Sequence, residues 1–205
     1  MKYKIKNILP EIEISDPVII VGNSPSVLKE KKGNEIDGFN TVIRFNDFKV
    51  TENQDFVGNK TDLIFISNSY FTKKTYSKND KVVLLDNSLK IKKDEIDEKN
   101  YYHIDQYQLI NLRYKYGPFK NFLRTLDLKG TWLNLLYPKN ITIGTVVILL
   151  LIESKIRPTI YGIDFNYKKK SHYYKNENDY GFTHSYFYER KLLENLKKEN
   201  LVKIL

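Results

Sequence analysis

The chain has 205 residues, 41% of them hydrophobic, and its 34 lysines and arginines outnumber 25 acidic residues to give a formal net charge of +9. This composition predicts one folded domain over residues 1–205 and excludes wholesale disorder. The chain has no cysteine, which excludes a disulfide framework, a thiolate nucleophile and a cysteine zinc site, and favours a cytoplasmic location.

Residues 1–14 have the pattern of neither a signal peptide nor a transmembrane segment. After them, short apolar runs rich in β-branched residues predict buried strands at residues 18–21, 41–45, 62–66, 81–85 and 159–161. The segments between these runs are long enough for crossovers. We therefore predict the α/β class, with a mainly parallel sheet flanked by helices.

The other elements are predicted from helical spacing and from what lies between the strands. Residues 144–155 predict a buried helix, although their Val-Val-Ile content is also compatible with a strand. Residues 184–200 predict an amphipathic helix, and residues 201–205 a final strand. Residues 70–131 have no clear period, so we predict an acceptor-side insertion of loops or helices there. Residues 165–184, rich in tyrosine and lysine, are a candidate lid loop.

Polar residues follow the first two strands directly. Gly22, Asn23 and Ser24 directly follow the first strand. Open α/β sheets bind their ligands at this carboxyl end of the strands, and a glycine there lets the backbone approach a ligand closely. An equally simple reading is that Asn23 and Ser24 only cap a turn. The second strand brings Asn46 to the same edge, and its carboxamide could bind a sugar, a ribose or a pyrimidine. Arg44 has a simple alternative role as an ion-pair partner of an aspartate, Asp37 or Asp55.

These segments form an ordered set that resembles the large sialylmotif of animal-type sialyltransferases. The matching residues are Gly22-Asn23-Ser24, Gly33-x-x-Ile36-Asp37, Val42-x-Arg44-x-Asn46 and Asp55-x-Val57-Gly58-x-Lys60-Thr61. The opening Gly-Asn-x-Pro-Ser also resembles the bacterial lipo-oligosaccharide sialyltransferases. The resemblance covers about forty residues and implies a Rossmann-like, GT-A-like sialyltransferase variant of the predicted fold.

The C-terminal half extends the resemblance. Thr142, Ile143, Gly144 and Thr145 open the buried helix, where free amides and the helix dipole favour an anion, although a plain N-cap accounts for the threonine equally well. In the families that the chain resembles, the corresponding turn lies at the donor and its sugar carboxylate. The strand at residues 159–161 runs into Gly162 and Asp164, similar to the end of the small sialylmotif and to the bacterial Gly-Ile-Asp-Phe. The animal-type cysteine pair is missing.

Two of the three histidines fall on further family motifs. His172, Tyr173 and Tyr174 resemble the His-Tyr-Tyr of the third motif, and His184 with Glu189 matches the very small motif His-x-x-x-x-Glu. A lone histidine on a helix is more often structural or exposed, and the order of the motifs is what singles these two out. His103 has no such support and is left unassigned.

The resemblance implies a role for each of these residues. His184 is the base that takes the proton of the acceptor hydroxyl, and a pKa near 6.5 suits that task. Glu189 holds the local helix or orients this histidine, and Arg44 supports the site. His172 and Tyr173 are the leading candidates to donate hydrogen bonds to the leaving phosphate, and Tyr174 is a weaker candidate for the same role. Nucleotide and sugar are bound by Gly22, Asn23, Ser24, Asn46, Thr142, Ile143, Gly144, Thr145, Gly162, Asp164 and Tyr174.

The implied enzyme is an inverting, metal-independent glycosyltransferase without a cofactor. Its donor is a CMP-sugar carrying sialic acid or a related acid such as Kdo, legionaminic or pseudaminic acid. The acceptor is a surface glycan, lipo-oligosaccharide or capsule, and the basic surface could hold the protein against an anionic inner membrane. No nucleic-acid partner is expected, and the sequence leaves the oligomeric state open.

Three rival interpretations remain at this stage. Gly-Asn-x-Pro-Ser after a strand also resembles proteins of the flagellin-glycosylation and pterin-pyrophosphokinase type, which are not expected to carry His-x-x-x-x-Glu. A basic nucleic-acid-binding domain accounts for the charge and the tyrosines but not for the ordered motifs. A catalytically dead family member, serving as a polymerase subunit, is the third.

Overall fold

The computed structural model describes residues 2–5, 9–67, 80–85, 101–104, 116, 141–164, 172–173 and 186–205. Nine strands lie in these ranges: β1 Lys2–Ile5, β2 Leu9–Ser15, β3 Val18–Val21, β4 Thr41–Phe45, β5 Leu63–Ser67, β6 Val82–Leu85, β7 Tyr101–Ile104, β8 Thr159–Tyr161 and β9 Lys203–Ile204. The helices there are a 3₁₀ helix at Pro25–Lys29, α1 Gly33–Asp37, α2 Gln54–Val57, α3 Ile143–Glu153 and α4 Tyr186–Lys198.

Seven of these strands form one sheet in the order β7-β6-β5-β4-β3-β8-β9, and every pairing in it is parallel. The chain adds strands on one side of β3 from β4 to β7, and then returns to the other side with β8 and β9. The strand order therefore reverses between β3 and β8, which is the place where open α/β sheets bind their ligands. The predicted fold class is confirmed.

The sheet is buried because apolar side chains project from both of its faces into hydrophobic clusters. In β3, Val18 and Ile20 join one apolar cluster, whereas Ile19 and Val21 join the cluster on the opposite face. Helix α3 packs in the first cluster with eight consecutive buried residues from Gly144 to Leu151. A helix that is apolar on all sides has to be covered on all sides, which places the start of α3 deep against the sheet.

The five predicted strands, the two long helices and the final strand are confirmed. The prediction for residues 70–131 was wrong at residues 101–104, where β7 pairs in parallel with β6 instead of forming a loop or a helix. Its Tyr-Tyr-His-Ile sequence carries no alternation, so the strand depends on its neighbour's hydrogen bonds. The antiparallel hairpin of β1 and β2 was not predicted either. Most of residues 70–131 and 165–184 lie outside the described ranges, so the insertion and the lid loop stay predictions.

None of the helices in the described part of the chain is long and apolar enough to cross a bilayer.

Candidate active site

The ends of β3 and β8 touch each other at the switch point. The amide of Gly22 donates to the carbonyl of Tyr161 at 2.7 Å, and that of Ser24 donates to the carbonyl of Gly162 at 3.0 Å. A Cβ on Gly22 would lie 2.2 Å from the Gly162 carbonyl oxygen, and Gly162 itself has a φ of +68°. The missing side chain of Gly22 therefore lets the two strand ends approach each other. The predicted close approach of its backbone to a ligand stays a prediction.

The serines after β3 are tied to the residue that follows β8. The amide of Asp164 donates to Ser24 Oγ at 3.1 Å, and Ser26 Oγ donates to the exposed Asp164 carboxylate at 2.6 Å. The Ser24 side chain makes no capping bond to the 3₁₀ helix. Ser24 does stand at the N-cap position of this helix, where its carbonyl accepts from the amide of Val27 at 3.2 Å, so the simple alternative holds for its backbone but not for its hydroxyl. Ser26 was missed in the sequence, although it belongs to the quoted Gly-Asn-x-Pro-Ser.

The two predicted carboxamides do meet at the carboxyl edge, the side of the sheet where the strands end. Asn23 Nδ2 donates to the carbonyls of Phe45 at 3.3 Å and Asp47 at 3.4 Å. Asn46 has a φ of 47°, and its Oδ1 accepts from the amide of Ser67 at 2.9 Å. Within the described ranges, Asn23 Oδ1 and Asn46 Nδ2 take no hydrogen bond. One acceptor and one NH₂ donor are thus available at this edge.

The start of α3 reaches the same edge. Thr142 is its N-cap, since Thr142 Oγ1 accepts from the amide of Thr145 at 3.3 Å. A Cβ added to Gly144 would lie 3.4 Å from Ile163 Cδ1 and 3.7 Å from Phe45 Cε2. The first turn of α3 therefore lies between the ends of β4 and β8. The amides of Ile143 and Gly144 belong to this first turn, where a helix leaves N–H groups without an intrahelical acceptor.

Glu189 of α4 is hydrogen-bonded to the first turn of α3. It is 1% exposed, and its Oε2 accepts from Thr142 N at 2.9 Å, from Thr142 Oγ1 at 2.6 Å, and from Thr145 Oγ1. Its other oxygen, Oε1, is buried and has no hydrogen-bond partner among the described residues. Burial raises the pKa of Glu189 to about 7, against the opposing effect of the bonds from Thr142 and Thr145. Glu189 therefore locks the start of α4 onto the start of α3.

Tyr173 brings the third motif to the carboxyl edge. Its amide donates to the carbonyl of Asn23 at 2.9 Å. Its hydroxyl donates to the carbonyl of Lys49 and accepts from the amide of Lys49 at 3.1 Å. Burial raises the pKa of this phenol. The bond to Asn23 also places the neighbouring His172 beside the Gly22-Asn23-Ser24 segment. The predicted bond from the Tyr173 hydroxyl to a leaving phosphate would require this hydroxyl to break its hydrogen bonds with Lys49. Nothing in the sequence marked Lys49.

Arg44 is 1% exposed and supports the loop before β5. Its guanidinium donates to the carbonyls of Val57 at 2.7 Å and Lys60 at 2.9 Å and to Thr61 Oγ1 at 2.9 Å, and it lies over the ring of Phe48. Burial lowers the pKa of Arg44 to about 10, so the side chain is charged at neutral pH.

The ion pair considered for Arg44 was wrong. The carboxylate of Asp37 accepts from the backbone amides of Asn59 at 2.8 Å and Lys60 at 2.9 Å, and Asp55 pairs with Lys31 at 2.9 Å. Arg44 and Asp37 thus hold the same loop from two sides. Arg44 lies close enough to Tyr173 for the two to interact electrostatically.

Two predicted site residues, His184 and Tyr174, lie outside the described residues. Within the described ranges, no three histidine and acidic side chains are grouped as ligands for a metal ion. The structure thus brings together Gly22, Asn23, Ser24, Asn46, Thr142, Ile143, Gly144, Thr145, Gly162, Asp164, Tyr173 and Glu189.

The fold has counterparts among solved sialyltransferases. A mammalian sialyltransferase in complex with Gal-β1-3GalNAc-ortho-nitrophenol matches with a TM-score of 0.64 and 15% identity, over 92% of this chain and 68% of that chain. CstII from Campylobacter jejuni with the substrate analogue CMP-3FNeuAc matches with a TM-score of 0.54 and 17% identity, over 91% of this chain and 80% of that chain. The sialyltransferase CST-II with a trisaccharide acceptor and CMP matches with a TM-score of 0.51 and 20% identity, over 91% and 79% of the two chains.

No curated protein matches the chain in sequence. The family model of glycosyltransferase family 29 (sialyltransferase) matches residues 16–201, which is nearly the whole chain. The predicted enzyme class is confirmed, and the chain belongs to glycosyltransferase family 29, the sialyltransferases.

Proposed function

We propose that the chain transfers sialic acid, or a related keto-sugar acid, from a CMP-sugar to a surface glycan with inversion at the anomeric carbon. The observation that carries this proposal is the meeting of five sequence segments at one carboxyl edge. The ends of β3, β4 and β8, the first turn of α3 and the Tyr173 segment are joined there by hydrogen bonds and close packing. Structural neighbours bound to CMP-3FNeuAc, and to CMP with a trisaccharide, support the choice of substrates.

The described groups suit an anionic nucleotide-sugar. Asn23 Oδ1 and Asn46 Nδ2 offer an acceptor and a donor to the nucleotide. The exposed carboxylate of Asp164 can accept from a ribose hydroxyl, because Ser26 occupies only one of its oxygens. The first-turn amides of Ile143 and Gly144 can donate to the sugar carboxylate, with the helix dipole favouring the negative charge.

In the proposed reaction, one histidine acts on the acceptor and another acts on the leaving group. His184 removes the proton of the acceptor hydroxyl as its oxygen attacks the anomeric carbon, and the bond from that carbon to the phosphate oxygen breaks with its electrons on CMP. His172, held beside Asn23 through Tyr173, donates toward the departing phosphate. A monophosphate leaving group gathers less charge than a diphosphate, so we propose that neither a metal nor a cofactor takes part.

The setting of the reaction follows from the resemblance and the charge. The acceptor is lipo-oligosaccharide or capsule of a bacterium, and the reaction belongs to the synthesis of that surface glycan. With a net charge of +9, the protein is proposed to act in the cytoplasm, in peripheral contact with an anionic inner membrane. CMP-Kdo and the CMP-activated legionaminic and pseudaminic acids are the alternative donors.

A ligand screen tests the donor. CMP and CMP-sugars are expected to raise the melting temperature of the protein, whereas UDP and UDP-sugars are not. Asn46→Asp keeps the oxygen that binds Ser67 but replaces the NH₂ donor by a negative oxygen, so it is expected to fold and to lose the response to CMP. Asn34→Asp makes the same chemical change on the exposed face of α1 and serves as the control. Stabilisation by UDP-sugars but not by CMP would overturn the donor assignment.

Turnover tests the base. His184→Ala is expected to abolish transfer and donor hydrolysis while CMP binding persists, because the histidine acts on the acceptor and not on the nucleotide. Turnover retained in that variant contradicts the assignment of the base.

A further inference from the structure

Glu189 and the proposed sugar carboxylate would lie at the same helix start. Glu189 Oε2 already accepts hydrogen bonds from the amide of Thr142 and from the hydroxyls of Thr142 and Thr145. The amides of Ile143 and Gly144, one and two residues further on, are those proposed to bind the donor. Two carboxylates at one end of a helix, in surroundings where Glu189 is 1% exposed, repel each other strongly.

The geometry shows how this repulsion can be relieved. One oxygen of Glu189 accepts all three hydrogen bonds, whereas Oε1 is buried and has no partner among the described residues. A proton on Oε1 would neutralise the carboxyl group and leave Oε2 as a carbonyl acceptor, whose two lone pairs can still accept from Thr142 and Thr145. The link between α3 and α4 is therefore compatible with both protonation states.

We propose that Glu189 takes up one proton when the anionic sugar of the donor binds at the first turn of α3, so that this buried side chain couples donor affinity to pH. The inference rests on the proposed function, because it needs a donor carboxylate at that turn. The role is that of a positioning residue: Glu189 contacts the turn, and through it sets the charge that the donor meets.

The pKa of Glu189 supports this coupling. Burial raises it to about 7 in the unliganded protein, so the carboxyl group is divided between its two forms near neutral pH. A second anion at the same turn raises the pKa further. Between these two values donor affinity falls as pH rises, at most by about tenfold per pH unit for one proton.

The charged and titratable groups near Glu189 come from α3 and from its own helix. The threonine hydroxyls face it from α3, and its neighbours along its own helix include the titratable residues Tyr186, Tyr188, Arg190 and Lys191. Arg190 is exposed and bonds to Glu194, and the hydroxyl of Tyr188 donates to the carbonyl of Tyr116. Tyr116 in turn bonds to Glu153 at the far end of α3. His172 and His184 can also titrate near neutral pH, so the test has to separate them from Glu189.

Calorimetric titration of the full chain with CMP-3FNeuAc measures the proton uptake directly. The titrations are made from pH 6 to pH 9 in two buffers with different heats of ionisation. The phosphodiester and carboxylate of this ligand do not titrate in that range. We expect native protein to take up a proton at pH values above 7, with an affinity that falls as pH rises. In Glu189→Gln, whose amide carbonyl can still accept from Thr142 and Thr145, the uptake above pH 7 is expected to disappear.

A second variant covers the case in which Glu189→Gln does not fold. Thr145→Val removes one hydrogen bond that favours the ionised carboxylate, so the pH range of proton uptake is expected to move upward. An unchanged range in this variant overturns the proposal.

The other outcomes are equally decisive. Equal uptake in native protein and Glu189→Gln assigns the proton to a histidine and overturns the role of Glu189. Binding without any proton uptake overturns the coupling but leaves the donor assignment standing. Absence of binding by native protein at every pH overturns the proposed donor itself, and the coupling with it.

Discussion

Gly144→Ala separates the stability of α3 from its proposed use as a ligand site. The added Cβ would lie 3.4 Å from Ile163 Cδ1, 3.7 Å from Phe45 Cε2 and 3.8 Å from Thr142 Oγ1, all of them ordinary contact distances. Alanine in a helix is favoured over glycine by about 0.5–1 kcal/mol. We therefore expect unchanged or higher stability, and a melting temperature raised by roughly 1–4 °C at most for a chain of this size.

Ligand binding is expected to change in the opposite direction. The methyl group would lie in contact with Ile163 and Phe45. We expect it to crowd the adjacent Gly144 amide, which we propose donates to the sugar carboxylate. Loss of one such contact predicts binding of CMP-3FNeuAc weaker by about tenfold or more, which corresponds to roughly 1.4 kcal/mol. Urea unfolding and calorimetric titration measure the two effects on the same preparation.

Gly38→Ala is the matched control. A Cβ there would lie 3.4 Å from the carbonyl oxygen of Glu35 and 3.7 Å from that of Asn34, and Gly38 has an ordinary φ of −75° at the end of α1. The variant is expected to gain stability by about 0.4–1 kcal/mol without any change in binding. Native affinity in Gly144→Ala would refute the placement of the donor at this turn, and a large loss of stability would refute the packing on which the prediction rests.

The remaining predictions concern stability. Gly22→Ala places a Cβ 2.2 Å from the carbonyl oxygen of Gly162, so it is expected to cost roughly 3 kcal/mol or more in urea unfolding; a loss below 1 kcal/mol speaks against this close approach. Arg44→Met leaves buried carbonyls of the loop before β5 unpaired and is expected to cost roughly 2–4 kcal/mol, whereas native stability would contradict the bonding described. Glu189 has a folded pKa of about 7, above its ordinary 4.5, so its contribution is most favourable below pH 4.5 and is lost as pH rises to 7. The stability of Glu189→Gln relative to native protein should therefore increase between pH 5 and pH 8, by about 2–3 kcal/mol, and a constant difference contradicts the raised pKa.

Two glycines of the family motifs, Gly22 and Gly144, have different structural surroundings. Gly22 and Gly144 are both quoted in the family motifs, and the sequence predicts a ligand next to each. An added Cβ would clash with a backbone carbonyl at Gly22, whereas at Gly144 the three nearest atoms belong to side chains at ordinary contact distance. Gly22 is therefore required by the fold, whereas the packing around Gly144 would accept alanine, so the need for glycine there depends on the ligand that we propose at this turn. No sequence pattern separates these two cases, because both need the same small residue.

Much of the fold could be predicted from the sequence because it depends on local patterns. Short β-branched runs between long polar segments favour buried parallel strands, and the unbroken apolar run from Val146 to Ile152 predicts a buried helix. Strand β7 escaped prediction for the same reason. Its Tyr-Tyr-His-Ile contains strand-favouring residues, but the run is short and has no alternation to mark it, and its pairing with β6 is visible only in the tertiary structure.

The sequence by itself determined the parallel α/β fold, the family and the order of the motif residues, since periodicity and motif spacing are properties of the chain alone. Only the tertiary structure decided which partners those residues have. It showed Gly22 against Gly162, Arg44 bound to carbonyls instead of an aspartate, and Glu189 on the threonines of α3. Each of these contacts joins segments that the fold brings together from distant parts of the chain, and distance along the chain carries no information about which donor meets which acceptor.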